Sequence, residues 1–258
     1  MAQEQSKFDT ASTARHYAAA RPTYPEALFD ALDELLGGRL AGADVLDVAA
    51  GTGIATRQLA QRGAHVTAVE LSGAMLGELV AATPGARVVQ GSGNALPLAD
   101  DSADLITYAQ AWHWMDQPRA LAEARRVLRP HGVLALWWNQ TSRESGWEWE
   151  QRERISAANM QWHHHSAEHA WENVDLDPDL PKQSFSFDWQ RTVPLETHLA
   201  NLASKSYIAE LGDGMQAFLD RERAILSDLF PDGEITERFT TLLAATLFGR
   251  DLSLAGRG

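Results

Sequence analysis

The chain has 258 residues, 45% of them hydrophobic and without low-complexity tracts, enough to bury one large core with room for an insertion. Thirty-five acidic against 22 basic side chains give a formal charge of -13, a field that repels a polyphosphate backbone and excludes nucleic acid as the expected partner. Cysteine is absent, so disulfides and thiolate metal sites are excluded and a reducing, cytoplasmic setting is expected.

The polar opening MAQEQSKFDT has no basic stretch followed by an apolar one. No later segment approaches ~18 uninterrupted apolar residues, so neither secretion nor a membrane span is expected. A helical segment is predicted near Ser12 to Ala20 and is broken by RPTYP. A second helix carries Leu28, Leu32, Leu35 and Leu36 on one face and stops at Gly37-Gly38. From Val45 strands and helices alternate: VLDVA, a helix from Ile54 to Gln61, HVTAVEL, a Ser72-capped helix, ARVVQG, ADLITYA, a helix from Pro118 to Leu128, and GVLALWW. Alternation of this kind predicts a mostly parallel sheet with helices on both faces. Right-handed crossovers then bring the strand carboxyl ends to one edge, where Asp47 to Gly53, Glu70, Gly91 to Asn94 and Gln110 to Trp114 converge. A polar, tryptophan-rich helical insertion follows from Thr141 to about Leu180. After it come a strand at SFSFDWQRTV, helices from Leu195 to Ser204 and Met215 to Leu229, and a last strand at LLAATLFGR. The expected organisation is one domain over residues 1–258: a helical cap (1–40), a cofactor-binding core (41–140), an insertion or lid (141–182) and a segment completing the sheet (183–258).

The turn after the first strand, in VLDVAAGTG, is the place where α/β folds receive nucleotides. Gly51 and Gly53 there can adopt backbone angles closed to other residues and let a ligand approach the main chain. The dinucleotide pattern G-x-G-x-x-G/A is broken by Thr56 in GTGIAT, which disfavours a dehydrogenase. Asp47 ends the first strand and Glu70 the second, where a carboxylate can accept both hydroxyls of a ribose; an acid at a strand end is also common as a solvated loop residue. All nine tryptophans lie between positions 112 and 189. Their clustering fits an aromatic pocket, and core or lid packing fits it equally.

From about Phe8 to Trp138 the chain resembles class I S-adenosylmethionine-dependent methyltransferases. The likeness rests on VLDVAAGTG as cofactor loop, VTAVELS as ribose-binding strand end, GSGNALPLADDSADLI as adenine-side segment and ARRVLRPHGVLALWW as the helix and fifth strand. It implies a Rossmann-like fold with a mostly parallel seven-stranded sheet. It also implies cofactor contacts from Asp47, Ala49, Gly51, Gly53, Glu70, Leu71, Ser92, Gly93, Asn94 and Gln110, with the methionine end at Ala49 to Gly53 and the ribose on Glu70. YAAARPTYP, AQAWHWMD and, more weakly, SKSY resemble a small-molecule branch that includes trans-aconitate methyltransferase-like proteins. Two positions depart from the family pattern: Ala49 stands for its first glycine, and Ser92 where an aspartate is frequent.

Methyl transfer from a sulfonium is an in-line displacement that chiefly demands an acceptor held opposite sulfur, about 3 Å from the methyl. A carboxylate acceptor needs no base, whereas a hydroxyl, carbon acid or protonated amine does. His113 is the expected base or orienting group, titrating near ~6.5, with an imidazole packed between aromatics as the competing reading. Tyr17, Tyr24, Trp112, Trp114, Trp138 and Trp147 are expected to line the acceptor pocket, with the insertion's Trp149 and Trp162 beside them. In the run His163, His164, His165 with His169, a helix would put His165 and His169 on one face with Glu168 and Glu172, but H-E-x-x-H is lacking, so no metal is assigned. The expected function is a methyltransferase acting on a small molecule, with oxygen ahead of nitrogen or carbon. The alternatives are a biosynthetic enzyme using the cofactor for other chemistry, or a non-catalytic binding module.

Overall fold

A computed structural model describes residues 20–141, 146–159 and 181–248. Val45, Leu46 and Val48 are apolar on both faces of their strand, so β1 (Asp44–Val48) lies in the middle of the sheet with almost no exposure. Around it stand β2 (His65–Glu70), β3 (Arg87–Gln90), β4 (Ala103–Ala109), β5 (Leu128–Thr141), β6 (Lys182–Pro194) and β7 (Glu234–Leu247). The sheet has seven strands in the order β3-β2-β1-β4-β5-β7-β6. Strands β3 to β5 pair in parallel, and β7 runs antiparallel to both β5 and β6. This is the mostly parallel sheet that the alternation implied, and the seven-stranded Rossmann-like fold that the resemblance implied.

The chain winds outward from β1 to β3 and then returns to place β4 on the other side of β1. That reversal opens a crevice at the strand carboxyl ends, the usual seat of a ligand in an open α/β sheet. The helices α1 (Glu26–Leu35), α2 (Ile54–Gln61), α3 (Gly73–Ala82) and α4 (Gln117–Val127) sandwich this half. Because successive strand residues point to opposite faces, Trp137 joins Leu28, Phe29, Leu32 and Leu59 on one side. Trp138 joins Ala120, Ala124, Val127 and Tyr108 on the other.

The later elements are α5 (Trp147–Ala158), α6 (Leu195–Ala203), the short α7 (Ser206–Ala209) and α8 (Met215–Leu229). Ile155 of α5 packs with Leu202, Ile208, Phe218 and Leu219, so the described part of the insertion belongs to a small side core. Strand β7 starts at Glu234, well before the expected LLAATLFGR. Its first half buries alternate residues, but two of them, Glu237 and Thr241, are polar, so EITERFTT carries neither an apolar alternation nor the continuous apolar run of the second half. Apart from Ala20, the helix expected near Ser12 to Ala20 lies outside the described residues. No helix among the described residues is long and apolar enough to cross a membrane.

Asp47 ties three elements together from a fully buried position. Its Oδ2 accepts from Thr56 Oγ1 of α2 at 2.6 Å and its Oδ1 from Thr107 Oγ1 of β4 at 3.0 Å. Burial pushes its pKa up to about 6, against the pull of the two hydroxyls, and the nearby charge of Glu70 adds to the rise. A carboxyl with a raised folded pKa binds its proton more tightly in the native than in the unfolded state, so its contribution to stability is complete at low pH and disappears as pH rises through about 6. In denaturant unfolding at stepped pH, wild type should therefore lose on the order of 2 to 3 kcal/mol relative to Asp47→Asn between pH 4 and 6.5. A pH-independent difference between the two would contradict this account of the buried acid.

Candidate active site

A cavity of about 890 Å³ opens where the crevice between the outward and returning halves of the sheet meets α6 and α7. Its floor is the turn after β1. Ala49 and Gly51 line it with positive φ of 53° and 57°, and Gln110, at the carboxyl end of β4, lines it with φ of 59°. Two non-glycine residues held in the left-handed region at one cavity mark a strained, over-determined backbone. An added Cβ at Gly51 meets no atom within 4 Å, which leaves the main chain there bare toward a ligand.

Glu70 holds this floor to β2. Its Oε2 accepts from Gly51 N at 2.8 Å, and its Oε1 accepts from Leu71 N and Ser72 N, both at 2.8 Å. Oε1 thus has both acceptor sites engaged while Oε2 retains one, and the residue lines the cavity. Leu71, Ser92, Gly93 and Asn94 continue the same wall. A Cβ at Gly93 would lie 2.6 Å from Met115 Sδ and 2.9 Å from Val48 Cγ1, so only glycine fits. Asn94 Oδ1 accepts from Asp116 N at 3.0 Å, and Arg126 of α4 clamps the following loop by donating to Leu96 O and Leu98 O.

The opposite wall is a single turn of 3₁₀ helix (Trp112–Trp114) together with Lys205, Ser206 and Tyr207 at the start of α7, Thr141 of β5 and Phe239 of β7. His113 is exposed on the cavity side, and Trp138 Nε1 donates to its Nδ1 at 3.5 Å. Protein packed around the rest of the ring disfavours its charged form and lowers the pKa to about 4, well below the ~6.5 expected of a free imidazole. The ring is therefore neutral near pH 7. Because Nδ1 accepts, the proton sits on Nε2, so the remaining ring nitrogen is a donor.

Several expected site residues are placed elsewhere. Asp47 lies buried below the turn, with both oxygens taken by threonines, and does not line the cavity. Gly53 also lies off the cavity wall; a Cβ there would come within 2.7 Å of Leu79 Cγ, so its glycine serves the packing of α2 on α3. Trp112 and Trp138 are core residues because their strand and turn direct them between α4 and the sheet. Trp147 packs edge-on against His198 and Phe230, and no described residue of α5 lines the cavity. Tyr24 is buried edge-on against Trp137, its main chain paired with Gln58, and among the described residues only Trp114 of the expected tryptophans reaches the cavity. Tyr17, Trp162, His163, His164, His165 and His169 lie outside the described residues. Among the described residues no three His, Asp or Glu side chains are grouped to hold a metal. Sequence reasoning missed Arg21 and Lys205; Lys205 stood inside SKSY, a signal carried by resemblance alone.

Residues 46–136 match a family described as a methyltransferase domain. An uncharacterized methyltransferase of Mycobacterium tuberculosis is 36% identical over 213 residues, which cover 82% of each chain. The chain belongs to the class I S-adenosylmethionine-dependent methyltransferases. A solved structure from Anaeromyxobacter dehalogenans, by name a type II methyltransferase, shares the enzyme's fold with a TM-score of 0.65 at 24% identity, covering 88% of this chain and 97% of that one. A malonyl-[acyl-carrier protein] O-methyltransferase of Pectobacterium atrosepticum is 41% identical over 97 residues, 37% of this chain and 38% of its own.

In this methyltransferase Ala49 occupies a backbone conformation that favours glycine. Ala49→Gly should raise unfolding stability by about 1 kcal/mol by relieving the left-handed strain. A loss of stability in calorimetric or denaturant unfolding would mean that the strain is absent.

Proposed function

We propose that the enzyme transfers the methyl group of S-adenosylmethionine to a carboxylate oxygen of a small acceptor. In this reading the methionine end lies on the bare main chain at Ala49 and Gly51, the ribose hydroxyls on Glu70, and the adenine between Leu71 and the Ser92-Gly93-Asn94 loop, with Gln110 beside the methionine. The cofactor supplies an already electrophilic methyl, so the protein's task is to hold an acceptor oxygen in line with it and to exclude water.

The observation that carries the choice of acceptor is the state of His113. A neutral ring with its proton on Nε2 donates a hydrogen bond and cannot take a proton at that atom. It suits an acceptor that is already ionised. One carboxylate oxygen can lie on His113 Nε2–H and the ammonium of Lys205 while the other faces the methyl group, with Ser206, Tyr207 and Thr141 offering hydroxyls around them. The partial relative named for O-methylation of malonyl-[acyl-carrier protein] supports oxygen as the methylated atom.

A panel of small carboxylic acids, phenols and amines incubated with labelled S-adenosylmethionine tests the reading. Methylated products should be esters that release methanol in alkali; alkali-stable ethers or amines as the only products would overturn it. The turnover rate should be flat from pH 5.5 to 8, with no inflection near ~6.5, because the imidazole remains neutral across that range. Lys205→Met should raise the acceptor KM about 10-fold and leave cofactor affinity unchanged.

A further inference from the structure

The cavity wall that carries Lys205 also holds Asn201 of α6, which lines the space although only 4% of the residue is exposed. Its amide nitrogen is engaged, since Nδ2 donates to Glu237 Oε1 at 3.3 Å. Its carbonyl oxygen is not: Oδ1 is buried and has no hydrogen-bond partner in the protein. An orphaned buried acceptor is destabilising and calls for a partner from elsewhere. The amide cannot relieve it by turning over. Glu237 of β7 is 3% exposed and does not line the cavity; its Oε2 accepts from Arg191 Nε, and His198 Nδ1 lies 2.7 Å from its Oε1. Burial favours the neutral carboxyl, but the hydrogen bonds and charges of His198 and Arg191 outweigh it and hold the pKa down to about 2. An ionised carboxylate only accepts, so Asn201 must give Glu237 its NH₂ group and turn its oxygen the other way.

We propose that Asn201 selects the methyl acceptor by receiving a hydrogen bond at Oδ1 from a substrate hydroxyl, so that the preferred substrate is a small hydroxy acid rather than a plain carboxylic acid. The inference rests on the reading that the methylated group is a carboxylate held by His113 and Lys205, and it adds a contact to a different part of the same molecule. The surroundings select a neutral donor. Lys205, just past the end of α6, repels a substrate ammonium, and the Glu237 charge behind the amide repels a second carboxylate. An alkyl chain in the same place leaves Oδ1 without a partner and shut off from water, the arrangement by which a site built for a hydroxyl rejects the analogue that lacks it. Glu237 is a positioning residue here: it fixes which amide atom Asn201 can offer.

Methyl-ester formation from butanoate, hexanoate and octanoate, each beside its α-, β- and ω-hydroxy derivatives, tests the assignment with the full chain and labelled S-adenosylmethionine. For at least one pair, wild type should show a kcat/KM about 10- to 100-fold higher for the hydroxy acid than for its parent. Asn201→Leu, similar in size and without the carbonyl, should bring that ratio below about 3-fold by slowing the hydroxy acid alone. Glu237→Gln, which lets the Asn201 amide turn over, should lower the same ratio about 3- to 10-fold, whereas a merely structural loss would slow both acids together and leave the ratio unchanged. Esters formed by wild type with no preference for any hydroxy acid, or a preference that persists in Asn201→Leu, would overturn the Asn201 subsite and leave the carboxylate reading standing. Failure of wild type to esterify any acid of the series would overturn the carboxylate reading, and this subsite with it.

Discussion

The carboxylate of Glu70 is the fastening on which the cavity floor depends. It receives main-chain N–H groups from Gly51 on one side and from Leu71 and Ser72 on the other, so it joins the turn after β1 to the end of the neighbouring β2. Hydrogen bonds to an ionised acceptor are roughly twice as strong as neutral ones, and three of them converge here. Ala49, two residues before Gly51, and Gln110, whose N–H donates to Trp137 O at 2.8 Å, both adopt left-handed conformations that neither residue favours. Below the same turn, Asp47 binds Thr56 and Thr107 and fixes α2 and β4 to β1. The two acids therefore divide the work: the buried one sets the scaffold, and the one at the cavity wall sets the floor and faces the cavity.

Much of this was legible in the sequence wherever a local rule governs. The buried run of β1, the glycine turn and the acid at the end of β2 follow from period and turn chemistry, and the strand ends converge because crossovers are right-handed. What the sequence left open was set by long-range packing. Trp112 and Trp138 read as candidate pocket aromatics, yet their direction depends on which sheet face α4 covers, a property that no local window contains. Trp147 belongs to a side core assembled from α6, α8 and the start of β7, all distant in sequence. The first half of β7 hid because its inward Glu237 and Thr241 are polar, and from Glu234 to Arg238 it is a strand through its pairing with β6.

His113 shows the same limit at the level of chemistry. Its position in AQAWHWMD placed it at a strand end, and an unperturbed imidazole suggested a base. Its environment, not its position, sets its state: packing favours the neutral ring, and Trp138, from a different strand, donates to its Nδ1. The cations of the cavity were equally hidden. Arg21 and Lys205 are separated by most of the chain and meet at one cavity because the segment before α1 and the turn before α7 both pack over the strand ends. An acidic protein thereby brings two cations to one cavity, beside the carboxylates of Glu70 and Asp116, a local balance that a composition count averages away.

The central claim is that the turn held by Glu70 seats the cofactor, and a crystal structure of the protein with S-adenosylhomocysteine tests it most directly. The account predicts both ribose hydroxyls within hydrogen-bond distance of the Glu70 carboxylate, about 2.5 to 3.0 Å. It also predicts that Gly51 N keeps its bond to Oε2. A ribose bound away from Glu70, or a carboxylate turned from the cavity in the complex, would contradict it.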